Sequence, residues 1–142
     1  MPRVLVADDD LDFLDAVVRA AEYVDLDVTR ATSGDELLAS LTDAGPFDVV
    51  VTDIAMPWSS GLTVMRAARR AGWRQPLIVM SGFYDTDTLH QIVALGAHAS
   101  FLLKPFTLRE LYAALRAALR PKPALTAVPS ALQGIRVRAT GR

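Results

Sequence analysis

Carboxylates, a hydroxyl and an ammonium each follow a short apolar run in this chain. Asp8, Asp9 and Asp10 come after Val4-Leu5-Val6-Ala7, and Asp53 comes just beyond Val49-Val50-Val51. Ser81 follows Leu77-Ile78-Val79-Met80, and Lys104 follows Phe101-Leu102-Leu103. If those runs are parallel strands, all of these residues stand at carboxyl ends, the edge of an open α/β sheet where ligands bind. In the strand order 2-1-3-4-5 the first and third strands are neighbours. Asp8, Asp9 and Asp53 then share one cleft, with Ser81 and Lys104 at its sides. Carboxylates so close raise one another's pKa unless a cation intervenes. An all-oxygen donor set with room for water suits Mg²⁺ better than zinc or a softer metal. A carboxylate kept ionised beside such a cation is a nucleophile toward phosphorus, and its product is an acyl phosphate. Lys104 offers a mobile point charge to a phosphoryl oxygen, and Ser81 offers a hydroxyl donor.

Each of these features has an ordinary reading when taken alone. An Asp-Asp-Asp run is a common helix N-terminus, favoured by the macrodipole. Lys104-Pro105 reads as a turn and Ser81-Gly82 as a loop. Their joint placement after the first, third, fourth and fifth strands is what points to a site.

The elements that must position them alternate in period. The first, third and fourth apolar runs are nearly continuous, as expected of strands covered on both faces, and Val28 with its neighbours supplies the second. Helical spacing recurs in between, at Leu11, Leu14, Val18 and Ala21, at Leu62, Met65 and Ala68, at Leu89, Ile92 and Val93, and at Leu108, Leu111, Leu115 and Leu119. Thr32-Ser33-Gly34-Asp35 opens the second helix, Gly45-Pro46 closes the connection after it, and Gly72 and Gly96 stand where helices should end. Thr107 with Glu110 three residues on is a capping box. Five βα units in succession predict a doubly wound, flavodoxin-like α/β fold with right-handed crossovers.

Length and charge narrow the function classes. At 142 residues with half of them hydrophobic, the chain suits one globular domain. Its formal charge of -1 hides an asymmetry: Lys122, Arg136, Arg138 and Arg142 lie beyond Pro121, and no acid does. We expect a domain over 1–120 and a flexible basic tail over 121–142, too short to be an output domain of its own. An acidic body argues against nucleic-acid binding by the domain. With no cysteine, disulfides and thiolate metal sites are excluded. The N-terminus is unlike a signal peptide and no apolar run reaches bilayer length, so a cytoplasmic protein without a membrane partner is expected.

Taken in order, these segments resemble the receiver domains of two-component signalling. "VLVADDD" is similar to the family's first strand and acidic pair, and "DVVVTDIAMPWSSG" to its phosphoacceptor strand and Met-Pro turn. "LIVMSG" is similar to the switch strand, and "GAHASFLLKPF" to the fifth strand with its Lys-Pro-Phe. The resemblance covers about Arg3 to Arg120. It implies that Asp53 is phosphorylated and that Asp8, Asp9, Asp53 and the backbone carbonyl of Ala55 hold Mg²⁺. It further implies that Lys104 contacts the phosphoryl group and precedes a cis peptide to Pro105. Ser81 would be the switch hydroxyl and Phe101 the aromatic that turns with it. The donor would be a sensor histidine kinase or a phosphotransfer protein. The output would be a downstream effector protein or a homodimer, met through the fourth helix, fifth strand and fifth helix, with no outside substrate turned over. A stand-alone receiver and a piece of a longer regulator both fit.

Departures from the family carry expectations of their own. Ser60 stands where an acid often precedes the loop glycine, Gly61, and Gly82 where alanine is common. Ala55 and Phe83 occupy positions that tune loss of the phosphoryl group; neither can orient a water, and Phe83 could cover the site, so slow dephosphorylation is expected. Two other classes stand as alternatives: a receiver-like interaction module that never uses its phosphate site, and an aspartyl phosphotransferase or phosphatase. The latter expects an acid two positions after the nucleophile, where Ala55 stands. Elsewhere, His90 and His98 read as surface residues, Trp73 as packing, and Trp58 as either a partner contact or a loop cover. Tyr112 is placed on the interaction face, and Arg66, Arg69, Arg70 and Arg74 on a solvated one.

Overall fold

In a computed structural model, residues 1–56, 60–83, 85–96 and 98–120 are described. The tail expected over 121–142, and Trp58, lie outside them. The described residues alternate strand and helix: β1 (Arg3–Ala7), α1 (Leu11–Tyr23), β2 (Asp27–Ala31), α2 (Gly34–Asp43), β3 (Val49–Asp53), α3 (Gly61–Arg70), β4 (Leu77–Ser81), α4 (Thr86–Val93), β5 (Ala99–Leu103) and α5 (Leu108–Leu119). All pairings are parallel, in the order β2-β1-β3-β4-β5. The expected doubly wound architecture is therefore the observed one.

Alternation along the central strands divides the core in two. Val4, Val6, Val49, Val51, Ile78 and Met80 face one layer, where Leu14 and Val18 of α1 and Leu111 and Leu115 of α5 meet them. Leu5, Val50 and Val79 face the other, against Leu37 of α2, Met65 of α3 and Ile92 of α4. Because both faces are covered, β3 and β4 are buried at every position. Each face supplies the other with a rigid backing, so the strand ends are fixed in register: Ala7 opposite Thr52, Asp53 opposite Met80, and Ser81 opposite Leu103.

Every helix starts on an oxygen-bearing cap. Asp10, Ser33, Ser60, Asp85 and Thr107 each accept a backbone N–H three residues on. Such a cap contributes about 1 kcal/mol. The Thr107–Glu110 capping box is present in both directions. Gly72 and Gly96, both at φ +104°, turn the chain out of α3 and α4. The Gly45–Pro46 and Lys104–Pro105 peptides are cis.

Some helical positions differ from the pattern read in the sequence. Leu11 and Leu108 open their helices beyond the end of the sheet and stay 63% and 60% exposed, while Val93 closes the short α4 and is 74% exposed. Apolar spacing finds a helix, but its terminal turns need not overlie the core.

Candidate functional site

The acidic run after β1 splits three ways. Asp8 continues the strand pairing, its N–H donating to the Ala31 carbonyl, and its side chain is fully buried. Asp10 turns away to cap α1, accepting the Phe13 N–H at 3.1 Å. Asp9 lies between them, exposed. The ordinary reading of an acidic helix start thus holds for Asp10, while Asp8 and Asp9 join Asp53: their ligand oxygens all lie within 4.8 Å of one another.

Asp53 ends β3 and is itself buried. Removal from water raises its pKa most, the charge of Asp8 raises it further, and Lys104 opposes both. The lysine arrives from the opposite side of the sheet end. Its Nζ lies 2.7 Å from Asp8 Oδ2 and 3.5 Å from Asp53 Oδ1, so it donates a hydrogen bond to Asp8 and pairs more loosely with Asp53. One ammonium therefore answers three carboxylates. The residual negative charge, the oxygen-only donors and the partial exposure through Asp9 fit a hard divalent cation.

Ser81 is buried at the end of β4, where its carbonyl accepts the Lys104 N–H and its Oγ accepts the Phe83 N–H at 3.0 Å. The serine O–H is left to donate elsewhere. Phe101 is half-buried, paired in register with Val79, and packs against the second core layer. Ala55 is exposed two residues past Asp53. Phe83 is 66% exposed, so its ring is not packed down as a lid over the cleft.

Two residues that shape the site were not read from the sequence in that role. Gly61 begins α3 directly on the end of β3: a Cβ there would stand 2.2 Å from the Asp53 carbonyl oxygen and 2.7 Å from Thr52 Oγ1. Its N–H meanwhile donates to the Ile54 carbonyl. Phe13 lies one position off the apolar stripe of α1, and the Lys104 ammonium sits 4.3 Å from its ring centroid. An aromatic beside, not on, the buried stripe was the available signal.

Two expectations outside the cleft are corrected. Tyr112 does not face outward with α4 and β5: its hydroxyl donates to the Ala20 carbonyl at 3.0 Å and its ring packs between α5 and α1, because a half-buried phenol needs an acceptor. Arg69 is not on a solvated face. It stacks on Trp73 at 4.7 Å and donates to the carbonyls of Leu95, Trp73 and Gln75, in the connections that follow α4 and α3. Arg66 and Arg70 are exposed as expected, as are His90 and His98. Among the described residues no helix is long and apolar enough to cross a membrane.

Comparison with known proteins gives a consistent result. Residues 4–116 match the family model described as the response regulator receiver domain. The transcriptional regulatory protein PrrA of Mycobacterium tuberculosis is 39% identical over 120 residues, covering 84% of this chain and 50% of that protein. The response regulator MprA of Mycobacterium sp. (strain KMS) is 38% identical, covering 83% and 50%. This chain spans about half the length of the curated relatives it matches. Among solved structures, the Francisella response regulator 1452 receiver domain superposes with a TM-score of 0.76 at 28% identity, covering 84% of this chain and 97% of that one. The Vibrio cholerae chemotaxis protein CheY4 gives 0.77 at 26%, covering 84% and 99%.

Proposed function

Because this chain belongs to the response regulator receiver domain family of two-component systems, we propose that it is a switch phosphorylated on Asp53. The observation that supports this most is the convergence of Asp8, Asp9 and Asp53 with Lys104 at the carboxyl edge of the sheet. A lone buried carboxylate would be protonated or paired off. This one is held beside two others with a single ammonium between them, an arrangement poised for added positive charge.

In the proposed reaction a phosphohistidine of a sensor histidine kinase or phosphotransfer protein enters the cleft. A carboxylate oxygen of Asp53 attacks phosphorus in line, the phosphorus–nitrogen bond breaks, and its electron pair leaves on the imidazole. Asp8, Asp9, Asp53 and the Ala55 carbonyl would hold Mg²⁺, which when bound offsets the charge of both the carboxylates and the phosphoryl oxygens. Lys104 gives up its bond to Asp8 and contacts a phosphoryl oxygen, and the Ser81 hydroxyl donates to another. Nearly two added negative charges then bias the loops after β4 and β5. Phe101 turns inward, and the face formed by α4, β5 and α5 changes its affinity for an effector protein or a second copy. The chain modifies only itself and turns over no outside substrate. Neither Ala55 nor Phe83 can orient a water at the acyl phosphate, so its half-life should exceed minutes.

Intact mass after incubation with acetyl phosphate tests the reading. Expected is uptake of one phosphoryl group that depends on Mg²⁺ and is absent in Asp53→Asn. Folded wild-type protein that takes no phosphoryl group from acetyl phosphate or from a panel of phosphorylated kinases is instead an interaction module independent of phosphorylation.

A further inference from the structure

We propose that Phe13 is a positioning residue for Lys104: its ring is a perch that keeps the ammonium at the cleft once the lysine releases Asp8. The inference rests on the phosphoacceptor reading of the cleft and names a part that reading does not require. Among the described residues Lys104 Nζ has three close neighbours, Asp8 Oδ2 at 2.7 Å, Asp53 Oδ1 at 3.5 Å and the Phe13 ring centroid at 4.3 Å. Two of them are carboxylates that a metal ion and a phosphoryl group would claim. Once Asp8 binds a cation, the lysine loses its short hydrogen bond and gains a repulsive neighbour. A side chain with four rotatable methylenes would then swing into water, and recovering its place costs conformational entropy. The face of an aromatic ring attracts an ammonium without occupying any carboxylate oxygen. Phe13 is thus the one contact of the three that survives the change.

The ring is held as a perch should be. Phe106 meets it edge-on, with centroids 5.4 Å apart and planes at 82°. Phe106 is two residues past Lys104, so the lysine and the support of its perch ride on one segment. The Phe13 N–H is the donor that the Asp10 cap accepts, which ties the backbone of the perch to the same acidic run that supplies Asp8 and Asp9. Leucine would fill the space against the α1 and α5 core, where Phe13 is half-buried, but it has no π face.

The sequence makes a direct test simple, since Lys104 and Lys122 are its only lysines. In protein labelled with ¹³C at lysine Cε, the Lys104 methylene should resonate upfield of Lys122 from the ring current. Phe13→Leu should abolish that shift, and Phe13→Tyr should retain it. At saturating Mg²⁺, Phe13→Leu should slow phosphorylation by acetyl phosphate roughly three- to tenfold, the range expected for losing one cation–π contact. Phe13→Tyr should stay within about twofold of wild type, and Mg²⁺ affinity by calorimetry should not weaken in either variant. Absence of the upfield shift in wild type overturns the proposal, as does equal slowing in the Leu and Tyr variants. If wild type takes no phosphoryl group at all, the phosphoacceptor reading fails while the resonance shift still decides whether the perch exists.

Discussion

At the amino edge of the sheet, Arg69 stacks on Trp73 and donates to three backbone carbonyls, and Arg3 stacks on Phe47 at 4.8 Å, donates to the Pro46 carbonyl and pairs one to one with Asp27 at 3.7 Å. At the carboxyl edge, Lys104 stacks on Phe13 and donates to a carboxylate. The geometry of cation on ring is nearly the same in all three pairs, but the acceptors differ. Backbone carbonyls are neutral, and those of the connections after α3 and α4 are held in place, so Arg69 has nowhere better to go. Its Nη2, buried without an acceptor, has the Trp73 ring as its compensating contact. Asp8 and Asp53 are charged and in excess over the one ammonium, so Lys104 can be displaced by a stronger cation. An aromatic face beside fixed carbonyls makes a clamp; beside surplus carboxylates it makes a resting place. The amino edge is spent on stability and the carboxyl edge keeps charge unbalanced for use.

Glycine substitutions should separate the edges most sharply. At the carboxyl edge Gly61→Ala forces a Cβ against the Asp53 carbonyl and Thr52, both in a strand buried on two faces. Overpacking of that severity should cost about 3 kcal/mol or more. It should also reduce phosphorylation of the fraction that remains folded, because Asp53 itself must shift. At the amino edge a Cβ on Gly96 would meet nothing within 4 Å, and only its φ of +104° is strained. Gly96→Ala should therefore cost about 1–2 kcal/mol in urea denaturation and leave phosphorylation unchanged. Equal losses at the two positions would break the contrast.

Arg69→Met is the next largest test. It removes the donor to the carbonyls of Leu95, Trp73 and Gln75 while keeping an apolar side chain against Trp73. We expect a loss of about 1–2 kcal/mol in chemical denaturation, since the partly buried Leu95 carbonyl loses its side-chain donor while Arg74 still donates to the Trp73 carbonyl. Phosphorylation rate and Mg²⁺ affinity should not change. A matching fall in either would mean that the amino edge also serves the cleft.

What could be read from the sequence follows the same division. The continuous apolar character of β1, β3 and β4 reports burial on both faces, which fixes a sheet flanked by helices. Asp8, Asp53, Ser81 and Lys104 were legible because each is bonded in sequence to a strand end, and strand ends need only local alternation to locate. The roles that escaped reading are contacts between elements far apart in the chain. Nothing in the spacing of α1 shows that Phe13 will meet Lys104, or that Tyr112 of α5 will reach Ala20. Arg69 looked like one of four solvated arginines, since sequence does not show which one the α4–β5 connection folds over. The division of Asp8, Asp9 and Asp10 into ligands and cap likewise depends on where α1 begins, which the register with β2 decides.

The smallest effect expected is a gain. Burial and the Asp8 charge raise the Asp53 pKa in the folded protein above the ordinary aspartate value, and Lys104 only partly offsets them. A carboxyl whose folded pKa is raised binds its proton more tightly folded than unfolded. Below the unfolded pKa both states are protonated and Asp53 costs nothing. As pH climbs through the window up to the raised folded value, the folded state is penalised for ionising and stability is lost. Asp53→Asn removes that penalty. In chelator, without divalent cations, the variant should match wild type at low pH and become more stable across that window. By neutral pH the variant should melt at a higher temperature than wild type. Mg²⁺ should then close the gap from the other side, because only wild type keeps all three carboxylates as ligands and is stabilised by binding. A variant less stable than wild type in chelator would mean that Lys104 already balances the cleft, and the contrast between the two edges would lose its electrostatic basis.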